Sequence, residues 1–322
     1  MKRILSLIFV LSIITACSPR KEPISQKEFC LDTIVQITLY DSQSKNILNK
    51  CFDICKKYEL ICSSTNSSSE LYKLNHNPHK TSYQPVSKDL AYMIQQGLYY
   101  SKLSKGTFDI TIGSISSLWD FKSDKPALPD ASLVSKNLSN VSYSNIICTN
   151  QQIVYKNLNT MIDLGAIAKG YIADQIKAYL LKKNVKSALI NLGGNILCVG
   201  DKYGEAFTIG ITNPKHTDES IITTKIKNQS VVTSGIYQRN MTINKHLYHH
   251  ILDPHTGYSY DNGLASVTIL SSKSIQGDAL STVCFSLGLN EGLKLINSTK
   301  GVEACFIDTH NHITYSNNFK HS

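Results

Sequence analysis

Between Ser187 and Leu270 the chain falls into a series of short apolar runs, Ala188–Leu192, Ile196–Val199, Ala206–Ile211, Ile221–Ile226 and Val231–Thr233, divided by Gly, Asn, Pro and Lys. Runs of this length bounded by turn formers read as strands. No helical segment alternates with them, so the βαβ rhythm of a parallel sheet is missing and the pairing should be antiparallel. Helical spacing flanks the block on both sides. It runs through Ser44–Ile61, and the Ser-rich stretch Cys62–Ser69 that follows reads as a loop between helices. Ser87 and Asp89 cap an apolar stripe of Leu90, Met93, Ile94 and Leu98 that stops near Gly106. A helix after Gly165 should bury Ala168, Ile172, Ile176, Tyr179 and Leu180, and two further helices are expected at Asp278–Leu287 and Glu291–Ser298. Leu31–Tyr40 alternates as a half-buried strand does, with Leu31, Thr33, Val35, Ile37 and Leu39 on one face. Strands at Val141–Ile147 and Ile153–Tyr155 meet at a turn near Asn150, and Val302–Ile307 forms a last hairpin with His312–Tyr315. The pattern is α+β, with mixed and antiparallel sheets.

A chain of 322 residues, 42% hydrophobic and 18% charged, is long enough for one large domain or two intimate ones. Its start reads as an export signal: Lys2-Arg3, an apolar run from Ile4 to Ile14 too short to span a bilayer, then Ile14-Thr-Ala-Cys17. Small residues before a cysteine resemble the lipobox of bacterial lipoproteins. That implies a signal peptide over residues 1–16, acyl chains such as palmitate on Cys17, and a polar tether over residues 17–28. An ordinary secretory signal with a chance cysteine is the alternative. Two or more acyl chains would anchor the protein firmly, since each buried methylene contributes about 0.8 kcal/mol. The formal charge of +9 includes Lys2 and Arg3, and no Lys/Arg block or interleaved aromatic platform stands out. Such a balance fits an anionic small molecule better than nucleic acid. Of nine cysteines, those after Cys17 mostly sit inside apolar stretches and read as buried free thiols, and no C-x-x-C pair exists.

Two short stretches carry the chemistry. In Asp278-Ala-Leu-Ser-Thr282 a carboxylate and a hydroxyl stand four residues apart, so on a helix they project from one face, one turn apart. Hard oxygen ligands that leave positions for water and substrate phosphate are what Mg²⁺ prefers. An aspartate after Gly277 at a helix start is also an ordinary N-cap. Asp163-Leu-Gly-Ala-Ile-Ala-Lys-Gly170 offers an acid, a turn at Gly165 and a helix start whose free N–H groups and Lys169 suit phosphate. Here a plain cap and a solvated lysine are the simpler alternatives. His246, His249, His250 and His255 crowd one region, but in an extended strand His249 points away from the face shared by His246 and His250. A compact three-histidine metal site is therefore awkward. A histidine near its ordinary pKa of about 6.5 is the natural general base for a hydroxyl nucleophile.

These stretches fall in order with Gly106-Thr-Phe-Asp-Ile-Thr-Ile-Gly113, Leu189-Ile-Asn-Leu-Gly-Gly-Asn195, Thr233-Ser-Gly235 and His250-Ile-Leu-Asp-Pro-His-Thr-Gly257. In that order the chain resembles the ApbE family, the FAD:protein FMN transferases, from about Phe29 to its C-terminus. The resemblance implies a layered architecture related to the T-fold for a domain at residues 29–322. It implies Mg²⁺ on Asp278, Thr282 and the carbonyl of Ala166. FAD contacts are implied at Asp163 and Lys169 and at Thr107, Phe108 and Asp109, with Leu252 as an apolar position beside the flavin. His250 fills the family's histidine position and is the implied base. Gly193-Gly194 is most simply a turn between strands, or else a close backbone approach to the nucleotide. Three positions depart from the family pattern. Leu31 stands in place of a methionine and keeps the apolar wall. Thr65 stands in place of an aromatic and removes a stacking surface worth about 1 kcal/mol. His255 replaces the arginine of Asp-Pro-Arg-Thr-Gly.

The implied activity moves FMN from FAD to a Thr or Ser hydroxyl of an acceptor flavoprotein subunit, forming a phosphoester bond and releasing AMP. FAD is then the substrate and Mg²⁺ the cofactor. Implied acceptors are subunits of membrane-bound redox complexes such as the sodium-pumping NADH:quinone reductase or the Rnf complex. An exported lipoprotein anchored by Cys17 would meet them on the periplasmic side of the inner membrane. With an ordinary histidine as base, transfer should slow as pH drops through about 6.5. Two other functions use the same residues. In a Mg²⁺-dependent FAD pyrophosphatase water replaces the acceptor, whereas a non-catalytic flavin-binding lipoprotein would have no use for His250.

Overall fold

The computed structural model describes residues 22–320, and its first strand begins at Ile24. Strands β1 (Ile24–Cys30) and β2 (Thr33–Leu39) form an antiparallel hairpin whose turn is Leu31-Asp32. Residues 24–28, expected as tether, are therefore sheet. Ser25 and Lys27 stay exposed along this edge, so its ladder of bonds to β2, more than apolar burial, sustains the strand. Leu31 belongs to the turn rather than to the alternating face, which starts at Thr33. The signal peptide, Cys17 and tether residues 17–21 lie outside the described residues.

Next come α1 (Lys45–Cys62), α2 (Glu70–Asn75), β3 (Gln84–Pro85), α3 (Lys88–Leu103), α4 (Gly113–Ser116), α5 (Ala131–Leu138), β4 (Ile146–Thr149), β5 (Gln152–Tyr155) and α6 (Ala168–Lys182). The central block is β6 (Ala188–Leu192), β7 (Asn195–Val199), β8 (Phe207–Asn213), β9 (His216–Ile226), β10 (Ser230–Gly235), β11 (Asn240–Ile243), β12 (His246–His249) and β13 (Leu264–Ser271). The chain closes with α7 (Ser274–Asn297), β14 (Glu303–Asp308) and β15 (Ile313–Tyr315). Ser44 and Ser87 cap α1 and α3 by accepting the N–H of Ile47 and Leu90. The strand expected from Val141 begins only at Ile146, because Tyr143–Asn145 is a 3₁₀ turn pinned by the Tyr143 N–H on Asp109. The two helices expected near the end are one run broken at Gly288, whose φ of 76° and ψ of 176° interrupt it.

An eight-stranded sheet, β1-β2-β6-β7-β10-β13-β14-β15, organises the molecule, every neighbouring pair antiparallel. Side chains alternate between its faces. Val35, Ile37, Ile190, Leu197, Val267, Ile269 and Phe306 join α1, α3, α6 and α7 in the main core. Cys198, Val231, Leu270, Cys305 and Ile307 pack on the other face against Phe207, Ile209, Ile211 and Ile226 of the β8–β9 ribbon. β13 is covered on both sides, hence buried at every position. In α6, Tyr179 is only half-buried while Tyr171 enters the core. The cysteines after Cys17 are free thiols, all buried except the half-buried Cys148.

Candidate active site

Helices α6 and α7 cross at Gly170. A Cβ there would lie 2.4 Å from the carbonyl oxygen of Ser274 and 2.7 Å from Cβ of Asp278, so only glycine allows the approach. The Gly170 N–H donates to Oδ2 of Asp278 at 2.7 Å. Gly170 is the third residue of α6, so its N–H has no partner within the helix and Asp278 satisfies it. Asp278 does not cap its own helix. Asp174 of α6 does so, accepting the N–H of Ser274 at 2.9 Å and of Ile275 at 3.0 Å, which leaves Asp278 in the second turn.

Asp278 is buried, and Thr282 follows one turn later with its hydroxyl 3.0 Å from that of Ser234. Burial pushes the Asp278 carboxyl up, while Lys169, the Gly170 N–H and Asn195 act to lower it. The Asn195 amide nitrogen completes no hydrogen bond there, although its oxygen accepts from Ser274 Oγ at 2.7 Å, which in turn accepts from Ser230 Oγ at 3.1 Å. A buried carboxyl with one neutral backbone donor is a place a cation would relieve. The oxygens of Asp278, Thr282 and Ala166 are the hard donors Mg²⁺ takes.

His250 follows β12. Its N–H donates to the Arg239 carbonyl at 3.1 Å, and its ring Nδ1 lies 3.2 Å from the same oxygen. A carbonyl only accepts, so Nδ1 carries the proton and Nε2 the lone pair. Burial pushes the ring pKa down to about 3 against the pull of that carbonyl, and the positive charges of Lys169 and Arg239 act in the same direction as burial. That lies below the 6.5 of an ordinary histidine. The other histidines have separate partners. His249 is buried with Nε2 2.9 Å from the Tyr260 carbonyl, His246 packs on Tyr248, and His255 pairs with Asp253 at 3.0 Å.

The remaining candidates divide. Thr107 reaches the site face of α7, its Oγ1 3.1 Å from that of Ser286, and its carbonyl accepts from the Tyr260 hydroxyl at 2.6 Å. Phe108 is buried in the main core. Asp109 accepts from the N–H and hydroxyl of Thr111 and from the N–H of Tyr143, at 2.8, 2.7 and 2.7 Å. Its carboxylate anchors a loop. Asp163 accepts from Gly165 N–H at 2.8 Å and Ser116 Oγ at 2.9 Å, shaping the turn before Lys169. Leu252 packs with Ile115, Trp119, Val134 and Met241 in a small separate core, and Thr65 is exposed in its loop, bonded to Ser63. Gly193 does make a close approach, but to β2, since a Cβ would lie 2.2 Å from Thr33 Oγ1. Sequence reading assigned no role to Asp174, Asn195, Ser234 or Arg239, which act through partners distant in the chain.

Lys169 thus lies near both the buried Asp278 carboxyl and the His250 ring, and Thr282 follows Asp278 on the same helix. The model of the ApbE family matches residues 31–306. The FAD:protein FMN transferase of Klebsiella pneumoniae is 32% identical over 285 residues, 88% of each chain. That of Treponema pallidum is 29% identical over 328 residues, 95% of this chain and 90% of its own. The crystal structure of an ApbE protein from Thermotoga maritima gives a TM-score of 0.84 at 28% identity, covering 92% of this chain and 98% of that one. The flavin transferase ApbE of Vibrio cholerae shares the fold, with a TM-score of 0.80 at 20% identity over 94% and 97% of the chains. This chain belongs to the ApbE family, and its α+β architecture is that family's.

Proposed function

We propose that this protein is a FAD:protein FMN transferase that moves the FMN moiety of FAD onto a Thr or Ser hydroxyl of an acceptor flavoprotein. The observation that carries this reading is the Gly170–Asp278 bond at the α6–α7 crossing, which seats a buried carboxyl at the start of α6 beside Lys169. Asp278, Thr282 Oγ1 and the Ala166 carbonyl would hold Mg²⁺, which when bound supplies positive charge to a diphosphate and polarises its phosphorus. Lys169 adds a second positive charge for the phosphates. Nε2 of His250 takes the proton of the acceptor hydroxyl. The hydroxyl oxygen bonds the flavin-side phosphorus, the diphosphate bond breaks, and AMP leaves with the electron pair. The name shared by the relatives supports FAD as donor and a protein as acceptor. Subunits of a sodium-pumping NADH:quinone reductase or an Rnf-type complex fit that role. A lipid anchor on Cys17 would hold the enzyme beside them on the periplasmic side of the inner membrane.

The test is mass spectrometry of a candidate acceptor subunit after incubation with purified protein, FAD and Mg²⁺. One FMN on a single Thr or Ser, with AMP formed in equal amount, is expected. Free FMN and AMP with an unmodified acceptor would make the protein a pyrophosphatase, and FAD recovered intact a binder.

A further inference from the structure

The turn of the β1–β2 hairpin is made of residues that do not suit it. Leu31, with φ 54°, and Asp32, with φ 62°, both occupy left-handed backbone. A two-residue hairpin turn demands that conformation, and Asn-Gly or Gly-Gly adopts it with least strain. Asp32 puts its side chain to use. Its carboxylate pairs with the Lys122 ammonium and lies 3.4 Å from the Arg239 guanidinium, which also donates to the Asp32 carbonyl at 3.3 Å. Arg239 supplies the carbonyl that takes both the N–H and the Nδ1–H of His250. Asp32, paired with Lys122, therefore grips the side chain of the residue whose own carbonyl meets the His250 ring. The side chains of Asp32 and Arg239 are 47% and 43% exposed, so the pair adds little to stability. Strain kept in an exposed turn without a return in stability points to the site.

We propose that Asp32 is a positioning residue for FMN transfer: through Arg239 it holds the carbonyl that keeps the proton on Nδ1 of His250 and the lone pair on Nε2. The proposal rests on His250 being the base. Residue 239 leaves a turn closed by Gln238 N–H on the Gly235 carbonyl and enters β11, where Asn240 pairs with His249. Freed from Asp32, the Arg239 carbonyl is held by the His250 N–H and ring alone, and the peptide after it is expected to rotate more readily. Turned over, it would offer the Asn240 N–H to Nδ1 and drive the proton to Nε2, where the lone pair is needed.

The experiment uses the full chain labelled with ¹⁵N-histidine, reading the two-bond ¹H–¹⁵N pattern of His250 at neutral pH together with kcat and KM for FAD. In Asp32→Gly, which relieves the turn, the melting temperature should stay at or above wild type and KM within about twofold, while kcat falls about tenfold or more. The ring signals should shift from the Nδ1–H pattern toward a mixture of tautomers. Asp32→Asn should behave similarly should the glycine variant fold poorly, and Asp32→Glu should recover part of kcat. An unchanged Nδ1–H pattern in Asp32→Gly or Asp32→Asn overturns the proposal whatever happens to kcat. The tautomer is read without turnover, so this result stands apart from the test of the base itself, which is whether His250→Ala still transfers FMN.

Discussion

Asp278 is buried with a single backbone N–H on Oδ2, and Lys169 is the positive charge facing it. Asp278→Ala is expected to abolish Mg²⁺-dependent transfer while the fold survives. Thr282→Ala loses only a neutral oxygen and should weaken apparent magnesium affinity by about ten- to a hundredfold. Turnover measured against magnesium concentration separates the two, and full activity of Asp278→Ala at low magnesium would remove that residue from the site. His250 makes a prediction in pH. Its folded pKa of about 3 lies below the unfolded value of about 6.5, so the imidazole is neutral near pH 7 and stays so well below it. The pH profile of kcat/KM, which reports the free enzyme, should show no histidine limb between about pH 8 and pH 5. The unfolded chain binds more protons between about pH 6.5 and pH 3, so His250 withdraws stability as pH falls through that window. Urea midpoints at pH 7 and pH 4.5 should therefore differ less in His250→Leu than in wild type.

At the scale of elements, the α6–α7 crossing is where packing and chemistry coincide. Gly170→Ala would push a methyl group against the Ser274 carbonyl and the Asp278 Cβ, neither of which is the tip of a flexible side chain. The helices must separate, at a cost of about 1–3 kcal/mol by urea denaturation. Magnesium affinity should fall with it, because the Gly170–Asp278 bond lengthens. A stability unchanged within error would mean that the crossing tolerates a side chain. Asp174 joins the same two helices through the first amides of α7, a cap contributed by a residue 100 positions earlier. Asp163 has comparable support from behind. Asn75 accepts from the N–H of Ile162 and donates to its carbonyl, each at 2.8 Å, and buried Lys80 donates to the carbonyls of Asn75 and Thr160. This bracket holds the chain just before the Asp163 turn.

For the whole molecule, the sheet divides the work. One face builds the core under α6 and α7, and the β8–β9 ribbon closes the other. The chain enters at β1, the edge strand, so a short segment joins Cys17 to the sheet. If Cys17 carries the anchor, Cys17→Ser should move the protein from the membrane fraction to the soluble fraction. A wild-type mature N-terminus found elsewhere and unmodified would end the anchoring idea.

The sequence by itself determined what depends on neighbours within a turn or a strand. The serine cap of α3, the strands from β6 to β10 and the shared helix face of Asp278 and Thr282 follow from spacing of two to four residues. Ordered motifs added the family. Tertiary structure alone decided what depends on partners far along the chain. β1 is polar and alternates weakly, and becomes a strand only through its ladder to β2. Val141–Asn145 looks extended but turns because Asp109, 34 residues earlier, takes the Tyr143 N–H. Asp278 could have been a cap until Asp174 took that place, and His250 could have titrated normally until burial among distant segments lowered its pKa. Hydrogen bonds and desolvation between residues far apart leave no periodicity in the chain, so only the folded arrangement carries them.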